Sequence, residues 1–186
     1  VHPHKTEVCG LPAYQDIAAL PAPPDASFIG VNRTITPDIL RQLSAIGAGG
    51  AVCFASGFAE TAAEEDTGTA LQSALLEAAG DMPFLGPNCY GFINYLNRVS
   101  LWPDQHGGCP VESGVAIIMQ SSNIAISLTM QQRGCPIAYM VTAGNQAAVS
   151  QAELALALLE DPKVTAIGLH IEGFADLPAW HQLAEE

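Results

Sequence analysis

The sequence contains few basic residues and no long hydrophobic run. Its 186 residues include 6 Lys and Arg against 19 Asp and Glu, which gives a formal net charge of -13. This charge repels nucleic acid and anionic lipid, because both are polyanions. No uninterrupted apolar run approaches the roughly 18 residues that span a bilayer, and the first residues lack the order of a signal peptide. We therefore expect a cytoplasmic protein with no nucleic-acid or membrane partner.

The cysteines lack the pattern of a disulfide framework or a zinc site. They stand at positions 9, 53, 89, 109 and 135, so they are odd in number and widely spaced, and they contain no C-x-x-C pair. Free thiols fit this usage better than disulfides or metal ligands. His2 and His4 lie two positions apart near residue 1, where a pair of histidines makes a poor metal site. We expect no bound metal.

Short apolar runs alternate with segments of helical spacing along the whole sequence. Hydrophobic residues make up 49% of the chain, which is enough to bury a core. The alternation predicts an α/β protein whose parallel sheets are covered by helices on both faces. In the first helix, Thr36 is the expected N-cap and Gly47 the terminator. The predicted strands are residues 26–31, 50–55, 83–86, 115–119, 137–141 and 165–171, and the predicted helices are residues 36–47, 66–79, 123–133 and 151–160.

A polar stretch with glycine and proline, "WPDQHGGCPVESG", separates two series of this alternation. We place a domain boundary near residues 110–114. Within each series, ligands of a parallel sheet bind at the carboxyl ends of the strands, so the loops after the strands should carry the chemistry. Most of these loops are small, contain glycine and are rich in hydroxyl or amide groups, which indicates a phosphorylated, nucleotide-like ligand.

Five motifs occur in a fixed order: "SGFAE", "GPNCYGFIN", "VAIIMQSSNIA", "TAGN" and "LLEDPKVTAIGLHIEGF". The motifs occur in the same order in NDP-forming acyl-CoA synthetases, the family that includes the α subunit of succinyl-CoA synthetase. The chain resembles this family. The resemblance implies a Rossmann-like CoA-binding domain over residues 1–111, without its first strand and glycine-rich loop. It implies a truncated, flavodoxin-like ligase domain over residues 112–186. Such enzymes interconvert acyl-CoA, phosphate and a nucleoside diphosphate with acid, CoA and the triphosphate, through an acyl phosphate and a phosphohistidine.

The resemblance also implies a CoA site. Asn88 and Cys89 match family positions near the pantetheine end and thiol of CoA, and Lys5 matches a basic residue that meets its phosphates. The other matched positions line the adenosine and pyrophosphate and are Val31, Ser56, Gly57 and Phe58. On residue chemistry alone, Cys89 is better explained as a small buried hydrophobe and Lys5 as a solvated lysine. A nucleophilic role for Cys89 is not expected, since no His or Lys adjoins it.

The "QSSN" loop follows a predicted strand and opens a predicted helix. The helix start at Ser121, Ser122 and Asn123 offers free N–H groups and the positive end of the helix dipole to a phosphate or acyl phosphate. A serine or asparagine at this point is also an ordinary N-cap, and the two roles are compatible. The family usually has glycine at position 122 and a small apolar residue at position 123, so the pocket departs from the family pattern.

The remaining matched positions belong to the phosphohistidine centre of the family. Glu172 matches a carboxylate that orients the catalytic histidine, and a carboxylate bound to one ring nitrogen leaves the other free to attack phosphate. Gly144 and Asn145 match a loop near the same centre. Taken alone, Glu172 is more simply explained as a helix cap or a solvated loop charge.

No histidine of the chain matches the phosphorylated histidine of the family. The resemblance therefore implies that this histidine lies outside the chain, as does the ATP-grasp domain or subunit that binds ATP or GTP with Mg²⁺. We expect the chain alone to be inactive as a ligase, with CoA and an acyl compound as small-molecule ligands, and a homo-oligomer stays open. One alternative is an acyl-CoA-sensing module fused to a protein acetyltransferase. A dehydrogenase-type Rossmann domain is less well supported, because the G-x-G-x-x-G turn is absent.

Overall fold

The computed structural model describes residues 1–63 and 67–186. The strands are β1 (Glu7–Val8), β2 (Leu11–Pro12), β3 (Ser27–Ile29), β4 (Ala51–Cys53), β5 (Phe84–Leu85), β6 (Phe92–Asn94), β7 (Val99–Leu101), β8 (Gly114–Met119), β9 (Ile137–Thr142) and β10 (Val164–His170). The helices are α1 (Thr36–Ala45), α2 (Thr67–Ala79), α3 (Ser122–Thr129), α4 (Gln151–Leu159) and α5 (Leu177–Leu183). None of the helices in the described residues combines the length and the apolar character of a membrane span.

Strands β3, β4 and β5 form a parallel sheet in that order. Ser27 pairs with Ala51, and Ala51 pairs with Phe84. Helices α1 and α2 pack together on one face of this sheet, where Leu40 and Leu75 are fully buried. The predicted α/β fold class, with helices covering parallel strands, is confirmed. The predicted start of α2 at position 66 lies outside the described residues.

Helix α1 begins differently from the prediction. Thr36 is already helical, and the N-cap position is held by Ile35, which makes no side-chain capping bond. Asn32 supplies the missing acceptors. Its side-chain oxygen accepts a hydrogen bond from the Ile35 N–H at 3.1 Å, and its carbonyl oxygen accepts from the Thr36 hydroxyl at 2.9 Å. At the other end, Gly47 follows the last turn with a φ of +78°, as expected of a terminator.

The second sheet has the order β10–β8–β9–β6–β7. Its three longest strands are parallel, with Met119 of β8 opposite His170 of β10. Strands β6 and β7 form a hairpin that the sequence analysis did not predict, and Ile93 of this hairpin lies antiparallel to Met140 of β9. Residues on the N-terminal side of the predicted domain boundary thus complete the second sheet. The boundary itself stays a prediction.

Two helices of the second sheet, α3 and α4, begin at serine caps. The Ser121 hydroxyl accepts a hydrogen bond from the Ile124 N–H at 3.5 Å. Ser150 and Glu153 form a reciprocal capping box at the start of α4, with bonds of 2.7 and 3.2 Å. Such caps satisfy N–H groups that have no partner within the helix. Helix α3 ends at Thr129, four residues before its predicted end.

The backbone of one turn joins the two sheets. Residues 86–89 follow β5, and the loop after β9 lies against them. The N–H of Asn145 donates to the Pro87 carbonyl oxygen, and the N–H of Ala147 donates to the Gly86 carbonyl oxygen, both at 2.9 Å. Gly144, with a φ of +55°, leaves no room between itself and the turn for a side chain.

Side chains add a second set of contacts at this junction. The Thr142 hydroxyl oxygen accepts hydrogen bonds from the N–H groups of Tyr90 at 2.9 Å and Gly91 at 2.8 Å. The Asn145 amide donates to the carboxylate of Glu60, and the same carboxylate accepts from the backbone of residues 57 and 58. The loops after β4, β5 and β9 are therefore tied together.

We predict that Gly144→Ala lowers the free energy of unfolding by about 2–3 kcal/mol, measured by urea denaturation. A Cβ at this position would collide with the Pro87 carbonyl oxygen and would lie 2.8 Å from both the Asn88 carbonyl oxygen and the Cys89 Cβ. The junction would have to open to accept the new atom.

Gly134→Ala is the matched control. Gly134 also has a positive φ, of +76°, but a Cβ there would meet nothing within 4 Å. This variant should lose only about 1 kcal/mol, from the left-handed backbone alone. Equal losses in the two variants would contradict the close packing of the junction.

Candidate functional site

A cleft of about 730 Å³ opens at the junction of the two sheets. The loops after β3, β4 and β5 form three of its walls, and the start of α3 forms the fourth. All four segments follow the carboxyl ends of parallel strands, where ligands of such sheets bind. We call it the junction cleft. Its lining residues are Gly30, Val31, Asn32, Arg33, Phe54, Ala55, Ser56, Asn88, Cys89, Tyr90, Ser122 and Asn123.

The structure brings six of the predicted site residues together in this cleft. Four come from the predicted CoA set and two from the predicted phosphate set. These residues are Val31, Ser56, Asn88, Cys89, Ser122 and Asn123. These residues lie up to 92 positions apart in the sequence, but parallel strands bring the loops that follow them to a common edge.

Cys89 lines the junction cleft although it is almost fully buried, at 1% exposure. Its thiol points to the Cys53 carbonyl oxygen, 3.8 Å away. Burial raises the pKa of the Cys89 thiol to about 12, and burial raises the pKa of Cys53 to about 12 as well. Both thiols are therefore protonated at neutral pH, so neither supplies the thiolate that a nucleophile needs.

The turn that presents Cys89 requires its glycine. Gly86 has a φ of +95°, and a Cβ there would lie 2.7 Å from the Cys53 carbonyl oxygen and 2.9 Å from the Cys89 sulfur. Asn88 also adopts a positive φ, of +60°, and its N–H donates to the Ala55 carbonyl oxygen at 2.9 Å. The turn is thereby fastened to the loop after β4.

Helix α3 meets the junction cleft at its first turn. Ser121 is the N-cap, and the next two residues line the cleft. Within the described part of the chain, the N–H groups of Ser122 and Asn123 have no hydrogen-bond acceptor. Free N–H groups at a helix start, with the positive end of the helix dipole, favour a bound anion. Ser121 therefore caps α3 next to this anion-binding position.

Three predicted CoA residues lie outside the lining. Lys5 belongs to an exposed segment near residue 1. Phe58 is fully buried in the core of the first sheet, so its side chain is not available to a ligand. Gly57 and Phe58 instead donate their N–H groups to the Glu60 carboxylate, at 2.6 and 3.1 Å. Gly57 has a φ of +92°, and its carbonyl oxygen accepts from Arg33 at 2.8 Å.

Gly144 and Asn145 lie behind the turn of residues 86–89 and do not line the cleft. Gly144 packs directly on the turn, and Asn145 bonds to Pro87 and to the side chains of Glu60 and Gln72. Gly144 and Asn145 therefore support the wall of the cleft from behind.

Glu172 follows β10 and is exposed, and its carboxylate lies 3.8 Å from His170 Nδ1. The Gln120 side chain holds this loop: its oxygen accepts from the N–H groups of Glu172 and Gly173, and its amide donates to the Gly173 carbonyl oxygen at 2.6 Å. Gln120 immediately precedes the cap of α3, so the Glu172 loop and the start of α3 are neighbours. Sequence analysis missed Gln120, although its place at the end of β8 was a usable signal.

Sequence analysis also missed Asn32, Arg33, Phe54 and Tyr90. Asn32 and Arg33 follow the predicted Val31, and Tyr90 follows the predicted Cys89, so adjacency in a strand-end loop could have found them. Among the residues that the structure describes, the lining of the cleft contains Arg33 but no Asp or Glu. In a chain with a formal net charge of -13, this makes the cleft locally favourable for an anion.

Two family models match the chain. The model described as a CoA binding domain matches residues 1–95. The model described as a succinyl-CoA ligase like flavodoxin domain matches residues 112–186.

Curated relatives cover nearly all of the chain. The trans-feruloyl-CoA synthase FCS1 of an unknown prokaryotic organism is 31% identical over 177 residues, which are 92% of this chain and 25% of the relative. The ADP-forming acetate–CoA ligase of Methanocaldococcus jannaschii is 27% identical over 180 residues, which are 95% of this chain and 25% of the relative. The chain thus spans a quarter of the length of these relatives.

Among solved structures, the chain resembles the dinucleotide forming acetyl-coenzyme A synthetase 1 of Ca. Korarchaeum cryptofilum in complex with phosphate and ADP. The TM-score is 0.82 at 25% identity, over 99% of this chain and 39% of that chain.

We predict that three of the five cysteines react quickly with a thiol reagent at pH 8. Cys9, Cys109 and Cys135 are exposed, whereas Cys53 and Cys89 are buried. With a pKa of about 12, only roughly one buried thiol in ten thousand is ionised at pH 8. Absorbance with 5,5′-dithiobis(2-nitrobenzoate) counts the reactive thiols.

Denaturation should release all five cysteines, and Cys135→Ser should reduce the fast group to two. Cys89→Ser should leave that group at three. A fast-reacting Cys89 in the folded chain would show that its thiol is accessible and would overturn the assignment of a neutral, buried group.

Proposed function

Because the chain belongs to the CoA binding domain family, in the domain arrangement of NDP-forming acyl-CoA synthetases, we propose that it is the CoA-binding part of an ADP-forming acyl-CoA ligase. The resemblance to these synthetases, expected from five sequence motifs, is confirmed by the two family matches. The proposed reaction of the whole protein joins an acid and CoA to give acyl-CoA, while ATP is converted to ADP and phosphate.

One observation carries the proposal. Among the described residues, the lining of the junction cleft holds no carboxylate, although the chain is strongly acidic, and the cleft joins the Asn88–Cys89 turn to the start of α3. CoA and an acyl phosphate are both anions, and both need a local site of this kind in an acidic protein. The volume of about 730 Å³ lies within the range of ligand and cofactor sites.

The residues divide into two groups. Val31 and Ser56 line the adenosine and pyrophosphate of CoA, and Lys5 meets its phosphates. Gly57 and Phe58 lie outside the cleft lining and hold the loop beside Ser56 through their bonds to Glu60. Asn88 and the neutral thiol of Cys89 border the pantetheine end. Because Cys89 stays protonated, the thiol of CoA has no competing thiolate beside it.

The second group handles the phosphorylated acyl compound. The N–H groups at Ser122 and Asn123 hold a phosphate, Ser121 caps the same helix, and Gly144 with Asn145 keeps the facing turn in position. Glu172 orients a histidine supplied from outside this chain. When bound, CoA supplies the thiol that becomes the thioester.

Other components of the ligase belong to the rest of the protein. We propose an ATP-grasp domain or subunit that binds ATP or GTP with Mg²⁺, and a phosphorylatable histidine next to Glu172. The ADP and phosphate named for the Ca. Korarchaeum cryptofilum structure support this division. The named relatives differ in their acids, since one is called a feruloyl-CoA synthase and another an acetate–CoA ligase. The names of these relatives therefore do not indicate which acid the proposed ligase uses.

We predict that Ser56→Asp weakens CoA binding and Ser122→Asp weakens phosphate binding, each by at least about tenfold. A carboxylate about 4 Å from a bound anion costs several kcal/mol at an effective dielectric constant near 20. Isothermal titration calorimetry with CoA, and equilibrium dialysis with inorganic phosphate, measure the two affinities separately.

Ser73→Asp is the matched control, because Ser73 is exposed on α2 outside the cleft. It adds the same charge, so it reports the effect of net charge alone, and it should leave both affinities nearly unchanged. If all three variants weaken binding equally, the junction cleft is not the anion site. If the unsubstituted chain binds no CoA, the proposed function is wrong.

A further inference from the structure

Four aromatic rings form a continuous row beside the junction cleft. Phe28 and Phe54 have ring centroids 5.7 Å apart, Phe54 and Tyr90 are 5.5 Å apart, and Tyr90 and Trp102 are 5.5 Å apart. We call these residues the aromatic row. Aromatic residues make up only 6% of the chain, so their concentration at one site needs a cause.

The row is not part of the core beneath the helices. Successive residues of a strand point to opposite faces, and Ile29 and Cys53 pack in the core with α1 and α2. Phe28, next to Ile29, and Phe54, next to Cys53, therefore lie on the other face. Phe54 keeps 36% of its surface exposed. A large aromatic ring in this position is available to a ligand.

Two rings of the row line the cleft. Phe54 and Tyr90 both belong to the lining, and Tyr90 directly follows Cys89. The Tyr90 backbone is fixed by the Thr142 hydroxyl at 2.9 Å, and its ring meets Trp102 edge to face at an interplanar angle of 73°. Such fixing reduces the entropy that these rings lose when a ligand binds.

We propose that the acid handled in this cleft carries an aromatic ring, which packs against Phe54 and Tyr90 while its carboxyl end lies toward the start of α3. This inference rests on the proposed function, because that function gives the cleft an acid to bind. Aromatic pairs in offset or edge-to-face contact gain stabilisation beyond the area that they bury. The lining offers such faces on one side and the N–H groups of Ser122 and Asn123 on the other.

The adenine of CoA is the competing occupant of the row. The adenosine contacts of the proposed function lie at Val31 and Ser56. Phe54 stands two residues before Ser56, but its ring contacts that of Tyr90, which adjoins Cys89 at the thiol end. The acid is therefore favoured, and binding of adenine becomes an outcome of the test.

The test compares two acids of equal chain length, one with an aromatic and one with a saturated six-membered ring. The chain is titrated with 3-phenylpropanoate and with 3-cyclohexylpropanoate, and binding is followed by saturation-transfer NMR and calorimetry. The phenyl acid should bind more tightly. Phe54→Leu and Tyr90→Leu should each weaken its binding by about two- to tenfold, the value of one aromatic contact, and should remove the preference for the phenyl ring.

Phe174→Leu is the control variant, because Phe174 is 61% exposed and does not line the cleft. It should bind both acids as the unsubstituted chain does. Circular dichroism confirms that each variant is folded, and Tyr90→Phe should retain the preference for the phenyl acid.

CoA is titrated against the same variants. Retained CoA binding with lost discrimination between the two acids supports the inference. Equal affinity of the unsubstituted chain for both acids, or no saturable binding of either, overturns it while CoA binding still reports on the proposed function. Loss of CoA affinity in Phe54→Leu and Tyr90→Leu, with acid binding unchanged, would assign the row to adenine and also overturn the inference.

Discussion

The packing of the turn at residues 86–89 against the loop after β9 is the contact on which the rest of the site depends. Gly144 allows the two backbones to approach where no side chain would fit, and Asn145 and Ala147 bond to the turn directly. Without this contact, the loops of the first sheet and the start of α3 would belong to separate surfaces. With it, they form one cleft, which both Cys89 and Ser122 line.

Charge acts on this cleft at two scales. The chain as a whole repels anions, since its formal net charge is -13. The cleft lining instead presents amides, hydroxyls and a helix start, and the described part of it includes no carboxylate. Backbone N–H groups bind anions without adding basic residues, so an acidic protein can select an anionic ligand at one point and repel polyanions elsewhere. The Cys89 thiol is neutral at physiological pH, so it also adds no negative charge to the cleft.

Sequence reasoning succeeded where local rules apply and failed where distant residues meet. Strand ends predicted the loops at Cys89, Ser122 and Glu172, because parallel strands bring their carboxyl ends to one edge. Thr36 was wrongly predicted as an N-cap, since Asn32 satisfies that helix start from outside it. The hairpin β6–β7 was missed because each strand has only three residues. The bond of Glu60 to Asn145 joins residues 85 positions apart, which no local pattern reveals. Phe58 was predicted to line the CoA site because it matches a family position, but its side chain lies in the core.

A crystal structure of the chain with CoA tests the central claim most directly, namely that the two sheets share one ligand site. The account predicts density for CoA along the junction cleft, with the sulfur of its pantetheine end between Cys89 and the first turn of α3. CoA bound on another surface, such as the apolar groove between Leu85 and Leu158, would contradict it. A CoA molecule that touches the first sheet alone and leaves Ser122 and Asn123 without contact would contradict it equally.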